Sequence, residues 1–391
     1  MKINIMKIGA TINANNGSIL TDEINVVTKM LADSGHDVHY HTTRTRSMIP
    51  LPHATFHDLA EVTDNSFTEY DALLVFNGNA NFYGGQEARG DLMAYKFINK
   101  SKCPVFYFLT DWLLPLQQLW PNVEKKQVQY RWDNQYTRDE IEVVREDIIM
   151  ISQIYNMETL QSKYLDKRGI LYADIIYFPL QDFIIHEYQP IPFVQQEDRW
   201  LDLIYGGTFR GGHRQDKMIE YYFDYPDHLN IQMFGNLKPE HFNKRKTVDM
   251  KYPDFISKKV KHREFFDRMQ TSKATVTISD KLYEGSAISN RTNESIIGNV
   301  ISFIDIGYDP EMRIFNDAVL KKFNYVSSKS EVIARLEYLK QNSNAFDEII
   351  KRQYEDATGK MSKDQYYKSF VNILESKLEN REVERIQWFQ N

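Results

Sequence analysis

The chain has 391 residues, of which 42% are hydrophobic and 26% charged, and this balance describes a globular protein rather than a disordered one. Its net charge of −6 excludes a globally basic, histone-like nucleic-acid binder, and its single cysteine, Cys103, excludes an internal disulfide and a multi-cysteine metal site. No apolar run reaches the roughly 18 residues of a membrane span, and Met1–Ala10 alternates like a strand rather than like a signal peptide, so a cytoplasmic protein with no membrane partner is expected.

The first half alternates strands and helices. Apolar runs predict strands at Ile3–Ile8, Asp37–Tyr40, Ala72–Phe76, Val105–Leu109, Ile148–Ser152 and Asp174–Phe178. Helical spacing marks Thr21–Leu31, through Ile24, Val27 and Leu31, and Gln86–Asn99. This order predicts a parallel sheet covered on both faces, with chemistry concentrated just after the strands. Pro190-Ile191-Pro192 and the polar stretch Gln195–Arg199 read as a linker. A second series follows: strand Leu201–Tyr205, helix His213–Phe223, strand Ile231–Phe234, helix His262–Gln270, strand Thr275–Ser279, helix Asn290–Ile297 and strand Val300–Asp305. Helices near Ser330–Leu339, Ala345–Glu355 and Lys363–Leu378 complete the chain. The expected fold class is α/β, with two Rossmann-like doubly wound domains facing across a cleft, a layout shared by GT-B glycosyltransferases, periplasmic binding proteins and some dehydrogenases. The expected division is 1–190, 191–360 and a C-terminal helix in 361–391 that packs back on the first domain.

Three segments carry chemistry. Tyr205-Gly206-Gly207-Thr208-Phe209-Arg210-Gly211-Gly212-His213-Arg214 places four glycines between a strand and a helix. Glycines admit a ligand close to the backbone, a helix start offers free N–H groups, and Arg210 and Arg214 can fork onto phosphate oxygens. A Gly-rich connector with surface arginines is the alternative. Arg291 and Glu294, three apart at a helix start, can serve a diphosphate and a ribose, or simply pair with each other. Asp111, directly after an apolar strand, can act as a general base or cap the next turn. The amide- and aromatic-rich loop Asn77–Gly85, with Asn81, Tyr83 and Gly84, suits reading or stacking a base, and equally a turn. Basic islands at Arg44 and Arg46 and at Lys238–Arg268, where ten Lys/Arg face five Asp/Glu, fit a polyanion or a solvated face. His36, His39 and His41 read as edge or surface histidines. No Asp-x-Asp, nucleophile elbow or His-Glu-x-x-His motif occurs, and the sequence assigns no metal ligand.

Taken in order, several strings resemble the DNA β-glucosyltransferase family of T-even bacteriophages. They are Asn81–Gly85, Leu109–Asp111, Trp120–Val123, Tyr177–Pro179, Leu201–Arg210 continuing to Arg214, Phe234–Asn236, Asp280–Tyr283, Arg291 with Glu294, and Arg313–Ala318. The resemblance implies a GT-B fold and an enzyme that moves a sugar from a UDP-sugar to 5-hydroxymethylcytosine in double-stranded DNA, with inversion and base flipping. It implies Asp111 as base and Asp22 as a second catalytic residue beside the sugar, and Arg210, Arg214 and Arg291 on the diphosphate. Gly207, Thr208, Val260, Tyr283 and Gln181 then line the nucleotide-sugar site, Glu294 takes the ribose hydroxyls, and Asn81, Tyr83, Gly84, Trp112, Arg44 and Arg46 meet DNA. A divalent cation, Mg or Mn, a monomer and the infected host's cytoplasm complete the expectation. Asp22 and Gln181 stand where the family has Glu, and Leu113 where it has a basic residue. Those departures open the donor to a pentose such as arabinose. A GT-B transferase with a non-DNA acceptor and a non-catalytic nucleotide-sugar-binding protein are the alternatives.

Overall fold

The computed structural model describes residues 1–8, 23–42, 54–58, 70–77, 97–109, 145–152, 173–177, 191–243, 250–258, 260, 262–281, 283–285 and 289–382. Contacts divide the chain into one unit formed by Met1–Gln181 with Asp364–Ile386 and another formed by Asp182–Lys363.

The first unit holds a seven-stranded sheet: β1 (Lys2–Ile8), β2 (Asp37–Thr42), β3 (Thr55–Asp58), β4 (Ala72–Asn77), β5 (Val105–Leu109), β6 (Ile149–Ser152) and β7 (Asp174–Tyr177). Their order is β3-β2-β1-β4-β5-β6-β7, and every pairing is parallel. Parallel strands are covered on both faces, which is why β4 and β5 read as unbroken apolar runs: Ala72–Val75 and Val105–Tyr107 are almost fully buried. Helix α1 (Glu23–Asp33) buries Val27 and Leu31 of the expected helical stripe, with Met30 beside them. The helix expected over Gln86–Asn99 lies mostly outside the described residues.

The second unit contains β8 (Leu201–Thr208), α2 (His213–Tyr222), β9 (Ile231–Asn236), β10 (Asp254–Ile256), α3 (His262–Met269), β11 (Ser272–Thr277), α4 (Asn290–Ile297), β12 (Ile301–Asp305), α5 (Ala318–Asn324), β13 (Tyr325–Val326), α6 (Lys329–Gln341) and α7 (Ser343–Met361). Its sheet runs β10-β9-β8-β11-β12-β13, again all parallel. The chain therefore winds outward from β8 to β10, then crosses back to β11 and winds the other way. The reversal lies between the carboxyl ends of β8 and β11, where such sheets form their binding crevice. A buried amide network closes the far side: Gln353 of α7 accepts from the Ser302 amide at 2.8 Å and donates to the Val300 carbonyl at 3.1 Å. Asn324 of α5 donates to the Ser302 carbonyl at 2.9 Å and to Gln353. Helix α8 (Lys363–Leu378) belongs to the first unit, where Phe370 stacks on Phe108 and Lys377 meets Asp174 at 2.6 Å.

Two sequence expectations change here. The strand expected to stop at Tyr205 runs on to Thr208, so Gly206 and Gly207 are strand residues rather than part of the connector. A Cβ on Gly206 would stand 2.6 Å from the Phe234 ring and 2.8 Å from the Phe265 ring, so aromatic packing demands a glycine there. His41 is not a surface histidine: it is buried, stacked on His57 with ring centroids 4.5 Å apart. The His57 Nε2 in turn lies 2.8 Å from His39 Nδ1. Burial, reinforced by the neighbouring His57 and His39, lowers the pKa of His41 to about 3.

Candidate nucleotide site

Two segments converge at the switch point of the second sheet. The first leaves β8 at Thr208 and enters α2 through its N-cap Gly212, which has a φ of 75° and leaves the first amides of the helix without a side-chain cap. The second leaves β11 and carries Asp280 and Glu284. Arg210 Nη1 lies 3.2 Å from Asp280 Oδ2, and Arg214 Nη1 lies 3.7 Å from the same oxygen. Arg214 Nη2 donates to the Tyr205 hydroxyl at 3.0 Å, and its Nε is buried without a hydrogen-bond partner. His213 Nε2 meets Glu284 Oε1 at 2.5 Å. Burial opposes the charge of Arg214, but Tyr205 and Asp280 more than offset it and hold its pKa above the ordinary guanidinium value. The result is a pair of fixed positive forks at a helix N-terminus, an arrangement suited to phosphate.

Helix α4 supplies the second pair. Arg291 Nη1 and Glu294 Oε2 lie 2.9 Å apart, and the Arg291 guanidinium sits over the Phe265 ring at 4.3 Å from its centroid. The alternative of an intrahelical pair is thus realised. Yet neither Nη1 nor Oε2 makes a hydrogen bond in that contact, and Arg291 Nε makes none either. Buried polar atoms left in this state carry a desolvation cost that a ligand could recover. Underneath, Lys217 of α2 lies 2.9 Å from Asp305 at the end of β12, and Tyr221 donates to the same carboxylate at 2.9 Å. These contacts fix α2 against the sheet.

Gly207 and Thr208 occupy the carboxyl end of β8, Val260 lies between β10 and α3, and Tyr283 follows Asp280 by three residues, its amide donating to the Asp280 carbonyl at 2.9 Å. Asp22, Arg44, Arg46, Asn81, Tyr83, Gly84, Asp111, Trp112 and Gln181 lie outside the described residues. The sequence reading did not assign roles to Asp280, Glu284, His213 or Tyr205. Asp280 carries a weaker form of the signal that singled out Asp111, a carboxylate three residues beyond the buried strand β11.

The family model for the bacteriophage T4 β-glucosyltransferase matches residues 1–184. The DNA β-glucosyltransferase of Enterobacteria phage T4 is 30% identical over 355 residues, 91% of this chain and 94% of that protein. This chain belongs to the T4 β-glucosyltransferase family. A mutant of T4 phage BGT in complex with UDP-glucose superposes with a TM-score of 0.73 at 28% identity, covering 97% of this chain and 99% of that one. The T4 phage BGT structure in complex with UDP and Mn2+ gives a TM-score of 0.71 at 28% identity, over 96% and 99%. The fold of this family member is therefore GT-B, an α/β architecture of two parallel, doubly wound sheets. Among the described residues no helix is long and apolar enough to cross a membrane.

Proposed function

We propose that the chain transfers a sugar, glucose or a pentose such as arabinose, from a UDP-sugar to the hydroxymethyl group of 5-hydroxymethylcytosine in double-stranded DNA. The observation that carries this reading is the cluster of Arg210, Arg214 and Asp280 at the switch point of the second sheet, with Arg291 and Glu294 paired on α4, in a member of a DNA glucosyltransferase family. The arginines take the diphosphate and Glu294 takes the ribose hydroxyls. Gly207, Thr208, Val260 and Tyr283 border the nucleotide, and Asp22 and Gln181 face the donor sugar. The first unit takes the DNA, through Asn81, Tyr83, Gly84, Trp112, Arg44 and Arg46. The target base leaves the helix, at a cost of about a few kcal/mol, so that its hydroxymethyl group reaches the donor. Asp111 accepts the hydroxyl proton as the oxygen bonds to the anomeric carbon, while the bond to the diphosphate breaks and UDP departs. A single displacement inverts the anomeric centre, in keeping with a β-glucosyltransferase family.

A divalent cation, Mg or Mn, would neutralise charge on the departing diphosphate. Asp280 and Glu284 are hard oxygen donors of the kind these ions accept. Among the described residues no group of three or more His, Cys, Asp or Glu could hold an ion by itself, so phosphate oxygens and water would complete its shell.

Mass spectrometry of nucleosides from hydroxymethylcytosine DNA treated with each donor tests the proposal. Glycosylated hydroxymethylcytosine is expected, a hexose and a pentose differing by one CH2O unit. UDP-sugar turnover without any change to modified DNA would overturn the DNA acceptor. Competition between UDP-glucose and UDP-arabinose on one DNA decides the sugar: much higher kcat/KM for glucose makes Asp22 and Gln181 neutral in donor choice.

A further inference from the structure

One oxygen serves two arginines at the candidate nucleotide site. Asp280 Oδ2 stands 3.2 Å from Arg210 Nη1 and 3.7 Å from Arg214 Nη1, the second contact too long for a hydrogen bond. Arg214 retains a buried Nε with no hydrogen-bond partner, and Arg210 is 38% exposed. A carboxylate in this position satisfies the two forks only in part. A diphosphate carries more oxygens and more charge and can satisfy both. The Asp280 segment is meanwhile tied to the start of α2 by a separate pair, His213 with Glu284 at 2.5 Å, so the segment can stay in place while the Asp280 side chain turns away.

We propose that Asp280 is a positioning residue that competes with the donor diphosphate: it holds Arg210 and Arg214 before the nucleotide arrives and must release both for the diphosphate to bind. The inference rests on the assignment of these arginines to the diphosphate. Its consequence is electrostatic. The released carboxylate faces a newly bound dianion, and that repulsion opposes binding until a cation neutralises it. Nucleotide binding is then coupled to the divalent ion through Asp280, and linkage requires the coupling to be reciprocal.

Calorimetric titration of UDP into the full-length protein, with EDTA or with Mn2+, tests this. Asp280→Asn and Asp280→Ser both remove the competing charge, and the pair guards against a folding defect peculiar to one of them. In EDTA both variants are expected to bind UDP more tightly than the native protein, by on the order of tenfold, the usual scale of such couplings. Mn2+ is expected to tighten UDP binding by the native protein and to have much less effect on either variant. Equal or weaker binding by both variants in EDTA would mean that Asp280 supports the arginines rather than competing, and the proposal fails. Equal Mn2+ enhancement in native protein and variants also overturns it. Arg214→Ala separates this failure from that of the site itself: unchanged UDP affinity in that variant removes the nucleotide from the arginines altogether.

Discussion

Glu294 Oε2 lies 2.9 Å from Arg291 Nη1 and makes no hydrogen bond to it. The two charges attract without meeting in the geometry either prefers. A nucleoside diphosphate would separate their duties, its ribose hydroxyls donating to Glu294 and its phosphates accepting from Arg291. Glu294→Ala is therefore expected to weaken UDP binding and to narrow the difference in affinity between UDP and its 2′-deoxy analogue. Titration of both nucleotides checks this. An unchanged preference for the ribose would assign ribose recognition elsewhere.

Gly235 fixes the shape of the strand ends beside this site. Its φ is 115°, and a Cβ there would stand 2.0 Å from the Gly207 carbonyl oxygen on the neighbouring strand. Gly235→Ala thus combines backbone strain, of order 1–3 kcal/mol, with a clash against main chain that cannot rotate away. The expected result is a clear loss in urea unfolding together with weakened UDP binding, because β8 carries Thr208 and leads directly to Arg210. A variant as stable as the native protein would show that the β8–β9 ends relax freely.

Legibility in the sequence followed burial. The central strand Val105–Leu109, apolar throughout, is legible to the residue, because parallel strands bury both faces, while its neighbours are legible in place but not in their exact ends. The edge strand Thr55–Asp58, the three-residue Asp254–Ile256 and the two-residue Tyr325–Val326 carry no such run, and nothing in their sequence marks them as strands. Edge strands are short and polar, and their pairing is set by neighbours distant in sequence. The candidate site divides in the same way. Arg210 and Arg214 announced themselves by their place between a strand and a helix. The link of both to Asp280 depends on a parallel crossover that brings residue 280 beside residue 210, and sequence spacing does not encode it.

Asp111→Asn is expected to keep UDP affinity and lower turnover by about 10²–10⁴-fold, the usual contribution of a general base. Its motivation is the position directly beyond strand β5, which ends at Leu109. Asparagine keeps the shape and removes the proton acceptor. Single-turnover transfer to hydroxymethylcytosine DNA is the measurement, and near-native rates would take Asp111 out of the mechanism.

DNA binding is expected to weaken steeply with salt although the net charge is −6. The islands at Arg44 and Arg46 and at Lys238–Arg268 motivate this, since each neutralised phosphate releases counterions and adds a slope of roughly −0.9 to log K against log salt. Fluorescence anisotropy with a labelled duplex between low and physiological salt reads the slope. A flat response contradicts an electrostatic footprint on DNA.

His41 gives the first unit an acid-sensitive core. Its pKa in the fold is about 3, set first by burial and then by His57 and His39, against an unfolded value near 6.5. The sign follows from proton binding. Between the two values the unfolded chain holds the proton and the folded chain does not, so stability rises with pH across that window. It is complete above roughly pH 6.5 and declines as pH falls toward 3, by at most about 1.4 kcal/mol per pH unit for one fully coupled proton. His57 is shifted in the same direction, chiefly by burial, and adds to the slope. Urea unfolding of the first unit at several pH values from 7.5 down to 4.5 should therefore show a falling midpoint. His41→Phe keeps an aromatic ring against His57 and Phe97 and removes the titrating group, so its midpoint should fall less over the same range. Parallel pH profiles for the native protein and the variant would show that His41 titrates alike in the folded and unfolded chain, against its burial.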